Sequence, residues 1–207
     1  DLAKSVRSMK IDAGVKGNLS DLILSPLTLT TTVAGVGVKK PVELKVAAGS
    51  ARANLDKETL VLDDLSVTGL GLNVKAKVDA EKIMSEPTFE GKLNVPAFNL
   101  KRLLARLNKP VPKTADPKAL TQLGLKTRFS GTTSSIKLDD LEITLDQTHI
   151  QGDINVANFE GPDLTFAIGI DRINADRYLE PTAKGRTRPV TPEAAAAGAA
   201  SELPVEM

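Results

Sequence analysis

Leu70-Gly71-Leu72-Asn73-Val74-Lys75-Ala76-Lys77-Val78 is the stretch that decides how the chain is read. Leu70, Leu72, Val74, Ala76 and Val78 alternate with Gly71, Asn73, Lys75 and Lys77. A period of two places the apolar side chains on one side of an extended strand and the polar ones on the other. One dry face and one wet face is the pattern of a half-buried antiparallel strand. It returns where Ile150, Gly152, Ile154 and Val156 alternate with Gln151, Asp153 and Asn155. Further runs of strand character cover 27–33, 42–48, 60–67, 136–145 and 164–170. Turn-forming residues separate them: Gly35 and Gly37, Pro41, Asp56-Lys57, Gly131 with Thr132 and Thr133, and Gly161-Pro162. Strands at short intervals, with no long helix between them, predict an antiparallel meander rather than βαβ units.

Three short helical segments interrupt the strands. Residues 98–107 place Leu100, Leu103, Leu104 and Leu107 at i, i+3, i+4 and i+7, a one-sided apolar stripe. Asp116-Pro117 reads as an N-cap followed by proline at the first helical position, opening a turn that runs to Leu120. Residues 174–179 form a weaker helical pattern that stops before Pro181. Residues 181–202 then read as an Ala/Pro-rich linker, because the alanine run 194–200 carries no stripe to bury. Leu203-Pro204-Val205-Glu206 reads as the extended start of a further segment, so the chain is expected to be a fragment of something longer.

The pattern is duplicated. Leu62-Asp63-Asp64-Leu65 recurs as Leu138-Asp139-Asp140-Leu141, and at the same offset Val74, Ala76 and Val78 correspond to Ile150, Gly152 and Ile154. One residue closer, Pro87, Asn99, Arg102 and Leu104 correspond to Pro162, Asn174, Arg177 and Leu179. Agreement of pattern, order and spacing predicts one β domain over 1–180, with an internal repeat at about 55–105 and 131–180. Each unit would have an apolar face it cannot bury alone, so units would stack into a curved, open sheet.

Composition narrows the chemistry. Hydrophobic residues make up 41% of the 207, but aromatic residues only 3%, so the apolar surface is aliphatic. With 27 basic and 26 acidic residues intermixed and few rings to stack on bases, nucleic acid is not an expected partner. The absence of cysteine excludes disulfides, zinc-thiolate sites and thiol catalysis. No run of about 18 apolar residues is available to span a bilayer as a helix.

Several stretches resemble the AsmA family of bacterial envelope proteins. Phe98-Asn99-Leu100-Lys101-Arg102-Leu103-Leu104 is similar to its F-[DN]-L-R-x-L-L helix, and Thr114-Ala115-Asp116-Pro117-Lys118-Ala119-Leu120 to its T-A-D-P-x-A-L stretch. Residues 138–156, with Leu145-Asp146-Gln147-Thr148-His149-Ile150-Gln151-Gly152, resemble its L-D-x-T-x-[IL]-x-G strand pair. Asp171-Arg172-Ile173-Asn174-Ala175-Asp176-Arg177-Tyr178-Leu179 resembles its closing D-x-[IL]-[DN]-x-D-x-Y-L. The resemblance covers 87–181; residues 1–86 share only its texture. It implies a periplasmic part of an inner-membrane-anchored protein, with the anchor outside this chain. It also implies a long curved sheet forming an apolar groove, and a role in phospholipid handling or transport between the membranes that supports outer-membrane assembly. No catalytic motif or cofactor comes with it.

The residues expected to line such a groove are Leu70, Leu72, Val74, Val78, Ile150, Ile154, Val156, Phe166, Ile168 and Ile170. An acyl-chain lipid would cover them, at about 0.8 kcal/mol per buried CH₂. An ordinary closed core needs the same alternation, so periodicity alone leaves both open; the resemblance favours the groove. A second reading is a protein-interaction scaffold that recruits envelope partners at its sheet edges by strand addition. A hydrolase is a third, but His149, the one histidine, has no nucleophile elbow or oxyanion loop around it. The pairs Asp63-Asp64 and Asp139-Asp140 are expected to be turn or strand-edge residues. Strand neighbours point to opposite faces and make no carboxylate dyad, and the further oxygen ligands a calcium loop needs do not follow.

Overall fold

The computed structural model describes residues 6–181, apart from 19, 36 and 39. Eleven strands form one antiparallel sheet: β1 Val6–Asn18, β2 Asp21–Val33, β3 Val42–Ala48, β4 Ser50–Asn54, β5 Thr59–Gly69, β6 Leu72–Glu81, β7 Thr88–Phe98, β8 Leu123–Thr132, β9 Ile136–Leu145, β10 Thr148–Ala157 and β11 Asp163–Ile170. Each strand pairs with its neighbour in sequence, except that β3 and β4 share one position between β2 and β5. The sheet is the curved meander that the alternation predicts. β1, β4, β7 and β8 lie outside the alternating runs picked out from the sequence. The linker at 181–202 and the segment at 203–207 lie outside the described residues from 182 onward.

Register puts one set of residues on a single face across the whole sheet. Leu72, Val74, Ala76, Val78 and Ala80 of β6 lie opposite Gly69, Val67, Leu65, Leu62 and Leu60 of β5. Ile150, Gly152, Ile154 and Val156 of β10 lie opposite Ile143, Leu141, Leu138 and Ile136 of β9, and opposite Ile170, Ile168, Phe166 and Leu164 of β11.

Both Leu-Asp-Asp-Leu stretches maintain this arrangement in the same way. Leu62 and Leu65 are three residues apart, which in a regular strand would send them to opposite faces. Their partners Val78 and Ala76 are two apart, so β5 carries one extra residue there. Leu138 and Leu141 of β9 stand in the same relation to Ile154 and Gly152 of β10. The left-handed backbone falls on Asp64, at φ 51°, and on Asp140, at φ 49°. Aspartate tolerates that region better than most residues because its short side chain bonds locally. These pairs were expected at turns or strand edges; they form bulges inside central strands, because only an extra residue returns the second leucine to the apolar face.

Glycine and phenylalanine shape the middle of the sheet. Phe89 lies opposite Gly131, and Gly91 opposite Phe129. Each ring covers the glycine across from it, and the two rings sit 6.2 Å apart, tilted by 51°. A Cβ on Gly91 would collide with the carbonyl oxygen of Lys77 as well as with the Phe129 ring. The close approach of β6 and β7 therefore needs glycine, and phenylalanine restores the apolar contact that glycine gives up. Gly131, read as a turn signal, is a strand residue for this reason.

The helices are shorter than the sequence pattern. α1 spans Leu100–Arg106, and the Asn99 side chain accepts the Arg102 N–H at 2.9 Å as its N-cap. Asp116 opens a turn, accepting the Lys118 N–H at 2.8 Å. The segment 174–179 contracts to one 3-10 turn, Ala175–Arg177. No helix among the described residues is long and apolar enough to cross a membrane.

Deleting Asp140 should force Leu138 or Leu141 onto the charged face and abolish cooperative thermal unfolding. Asp140→Gly, which keeps the residue count and suits the left-handed backbone, should hold the melting temperature within a few degrees of wild type, as circular dichroism would read it.

Candidate functional site

Nine of the ten expected groove residues share the apolar face: Leu72, Val74 and Val78 on β6, Ile150, Ile154 and Val156 on β10, and Phe166, Ile168 and Ile170 on β11. Leu70 does not belong to this row. It stands in the two-residue turn between β5 and β6, with φ 56° at Leu70 and 88° at Gly71. A tight hairpin of this kind requires positive φ at both central residues. Glycine supplies one, Leu70 takes up the other, and β6 begins only at Leu72. Leu70 instead borders a cavity of about 520 Å³ with Lys40, Pro41, Val42, Glu43, Ala105 and Arg106.

The apolar face has little over it. Among the described residues the buried apolar side chains are four alanines (Ala34, Ala48, Ala51 and Ala119) and Leu141, and no large side chain is fully buried. The central strands β5 to β10 hold most of their apolar residues half-buried, with Leu141 buried and Val67 exposed, while every residue of β1 and β11 is exposed. Phe166 is 62% exposed, Leu164 59% and Ile170 53%. This gradient is what a single layer produces: in-plane neighbours shield the centre, and no described residue shields the rim. An apolar surface this continuous is unusual for a monomer in water.

A broad concavity lies on the opposite, charged face. It measures about 1090 Å³ and crosses β5 to β9 at the level of the two bulges, with Lys75, Lys77, Lys92, Lys126 and Arg128 among its lining residues. Two smaller hollows, of about 420 and 280 Å³, continue along the same face past Asp79 and Glu90. A twisted sheet is saddle-shaped, so each face is concave along one diagonal. The sequence reading saw Lys75 and Lys77 as the wet side of a strand. It did not see the rest, because Lys92 and Lys126 sit on strands whose alternation is broken by Gly91 and Thr127 on the apolar side.

One end of the sheet is tied shut. Asp146, in the β9–β10 turn, accepts backbone N–H groups from Leu120 (2.7 Å), Thr121 (3.0 Å) and Gln122 (3.1 Å), and the Tyr178 hydroxyl at 3.1 Å. Burial opposes its ionisation, but these donors outweigh burial and hold the carboxyl below its ordinary value. Arg177 Nε donates to Asp116 at 2.7 Å, and the N–H groups of Ala115 and Asp116 donate to the carbonyls of Leu179 and Arg177. Lys101 donates to the buried Thr114 hydroxyl at 2.6 Å. The stretches 114–120, 145–148 and 174–179 thus meet in one clasp beside α1.

His149 lies on the charged face, its Nδ1 3.8 Å from Asp171, whose carboxylate also accepts the His149 N–H at 2.9 Å. Among the described residues, no three His, Cys, Asp or Glu side chains converge as a metal site. No protein-family model, curated protein or solved structure matches the chain.

Removing the clasp should be measurable as stability. Asp146→Ala leaves three backbone donors without their acceptor and should cost about 2 kcal/mol or more, and Tyr178→Phe about 1 kcal/mol, in urea unfolding. The folded Asp146 carboxyl titrates below its unfolded value of about 3.9, so its contribution is complete above that pH and is lost as pH falls through the lower folded value. The gap between wild type and Asp146→Asn should therefore be constant from pH 7 to 5 and close below about pH 4.

Proposed function

We propose that this chain is a non-enzymatic, AsmA-like segment of a bacterial envelope protein whose apolar sheet face carries phospholipid acyl chains in the periplasm. The observation that carries the reading is the uncovered face itself. Its aliphatic residues run in register from β2 to β11 with no second layer among the described residues to close them into a core. Acyl chains are flexible, aliphatic and long in one dimension, which suits a strip of Leu, Ile and Val side chains better than a pocket would. The resemblance of 87–181 to the family supports the same assignment and the same role in outer-membrane assembly.

A second reading has its own observation. Among the described residues β1 pairs only with β2 and β11 only with β10, so within that part of the chain each rim has one edge without a strand partner. A scaffold that recruits envelope proteins by strand addition would use those rims.

The two readings separate on lipid. Organic extraction of the purified chain, with an unrelated β protein as control, should release near-stoichiometric phospholipid by mass spectrometry. Phe166→Asp and Ile168→Asp change side chains that are already largely exposed. They should leave the circular dichroism spectrum and melting temperature near wild type while the retained lipid falls to control. No lipid above control in the wild-type protein would overturn the groove, and partner capture that persists after delipidation would favour the scaffold.

A further inference from the structure

Cross-strand register on the charged face lines up like charges. Lys77 of β6 lies directly opposite Lys92 of β7, and Lys92 directly opposite Arg128 of β8. One step along the strands, Asn94 stands between Lys75 and Lys126 in the same way. Like charges opposite one another destabilise a sheet, and of the three cations in this rung Lys77 is offset by a contact to Asp79 at 3.8 Å, while Lys92 has no such partner among the described residues. All five of these cations line the 1090 Å³ concavity on that face.

Asp63, Asp64, Asp140 and Glu142 also line the trough, with Glu142 directly opposite Lys126, but among the described residues none lies within ion-pair distance of Lys92. Asp63 and Asp140 sit at the two bulges, at opposite ends of the rung. Asp63 engages Arg52 at 2.6 Å and Lys77 at 3.5 Å, and Asp140 engages Arg128. Among the described residues, Lys75, Lys92 and Lys126 have no carboxylate within ion-pair distance. The next rung carries Asp79 opposite Glu90, which bounds the cationic area on one side. Adjacent strands are about 4.8 Å apart and alternate residues along a strand about 6.7 Å. The cations are therefore spaced for several oxyanion groups a few ångströms apart.

From this we infer that the trough is a binding site for a ligand bearing clustered phosphoryl groups, with Lys92 at its centre and Lys77, Lys75, Lys126 and Arg128 around it. It lies on the face opposite the apolar strip, so it stands independently of lipid in the groove. The ligand relieves the repulsion within the Lys77–Lys92–Arg128 rung, and its binding weakens as salt rises.

Calorimetric titration of the purified chain with inorganic tripolyphosphate at low salt tests this. Wild type should bind, and Lys92→Gln should weaken binding about tenfold or more. Lys137→Gln removes a lysine on the same face that is ion-paired to Asp139 and lies outside the trough; it should change affinity by less than about twofold. Lys92→Gln should not lower the melting temperature, because it removes a repulsion. A parallel arm uses phosphatidylglycerol vesicles against phosphatidylcholine vesicles. Tripolyphosphate binding sensitive to Lys92→Gln assigns a free phosphorylated ligand, and the same sensitivity seen only with phosphatidylglycerol assigns a lipid headgroup. Binding of neither probe, equal loss in Lys137→Gln, or a melting temperature several degrees lower in Lys92→Gln overturns the site.

Discussion

A strand can exchange the faces of its side chains only by gaining or losing a residue, and the two faces at the centre of this sheet rest on two of the places where a strand gains one. Without the extra residue in β5 and in β9, half of each strand would turn its leucines toward the charged face. Asp64 and Asp140 take up the left-handed backbone at those points and keep the apolar row in phase across the sheet. Each bulge also sets an acidic side chain at one end of the cationic rung. Asp63 and Asp140 draw Lys77 and Arg128 outward, leaving Lys92 between them. One local device thus fixes both faces.

The two faces have different concavities because the sheet is a single twisted layer. A sandwich or closed barrel would hide one face, and its curvature would then shape a packing core. Here both faces stay accessible, and the sheet separates an aliphatic surface from a charged one by the thickness of one backbone layer. The clasp at one end fits this arrangement. Asp146, Arg177 and Tyr178 tie down the loop 114–122 and the segment after β11 through hydrogen bonds, without asking the apolar face to cover them.

What could be read in advance follows the strength of the alternation. β6 and β10 carry polar residues at each intervening position, so their faces are plain from spacing alone. β7 and β8 are obscured because Gly91, Thr127 and Gly131 occupy apolar-side positions, and the phenylalanines that compensate for the glycines come from the neighbouring strand. The Leu-Asp-Asp-Leu stretches were visible as a repeat but not as bulges, since a bulge is defined by the partner's count of residues. Leu70 shows the opposite error: it continues the period of β6 by number, yet the turn begins one pair earlier. The Lys77–Lys92–Arg128 rung was illegible for the same reason as the bulges, because only register brings three separate strands into one row.

A sheet whose buried apolar side chains, among the described residues, are Ala48, Ala51 and Leu141 draws its stability from half-shielded contacts spread over many strands. A fully buried Leu, Ile or Val contributes roughly 1.5–3 kcal/mol, and a half-exposed one correspondingly less. Whatever covers the apolar face completes that burial and is selective for the folded sheet, since the unfolded chain has no such face. Occupancy and folding are then linked, and each tenfold excess of an occupant over its dissociation constant adds about 1.4 kcal/mol. Under the proposed reading, lipid is cargo and also the missing half of the core. On that reading, the lack of a second layer among the described residues is the condition that lets the face exchange its cargo.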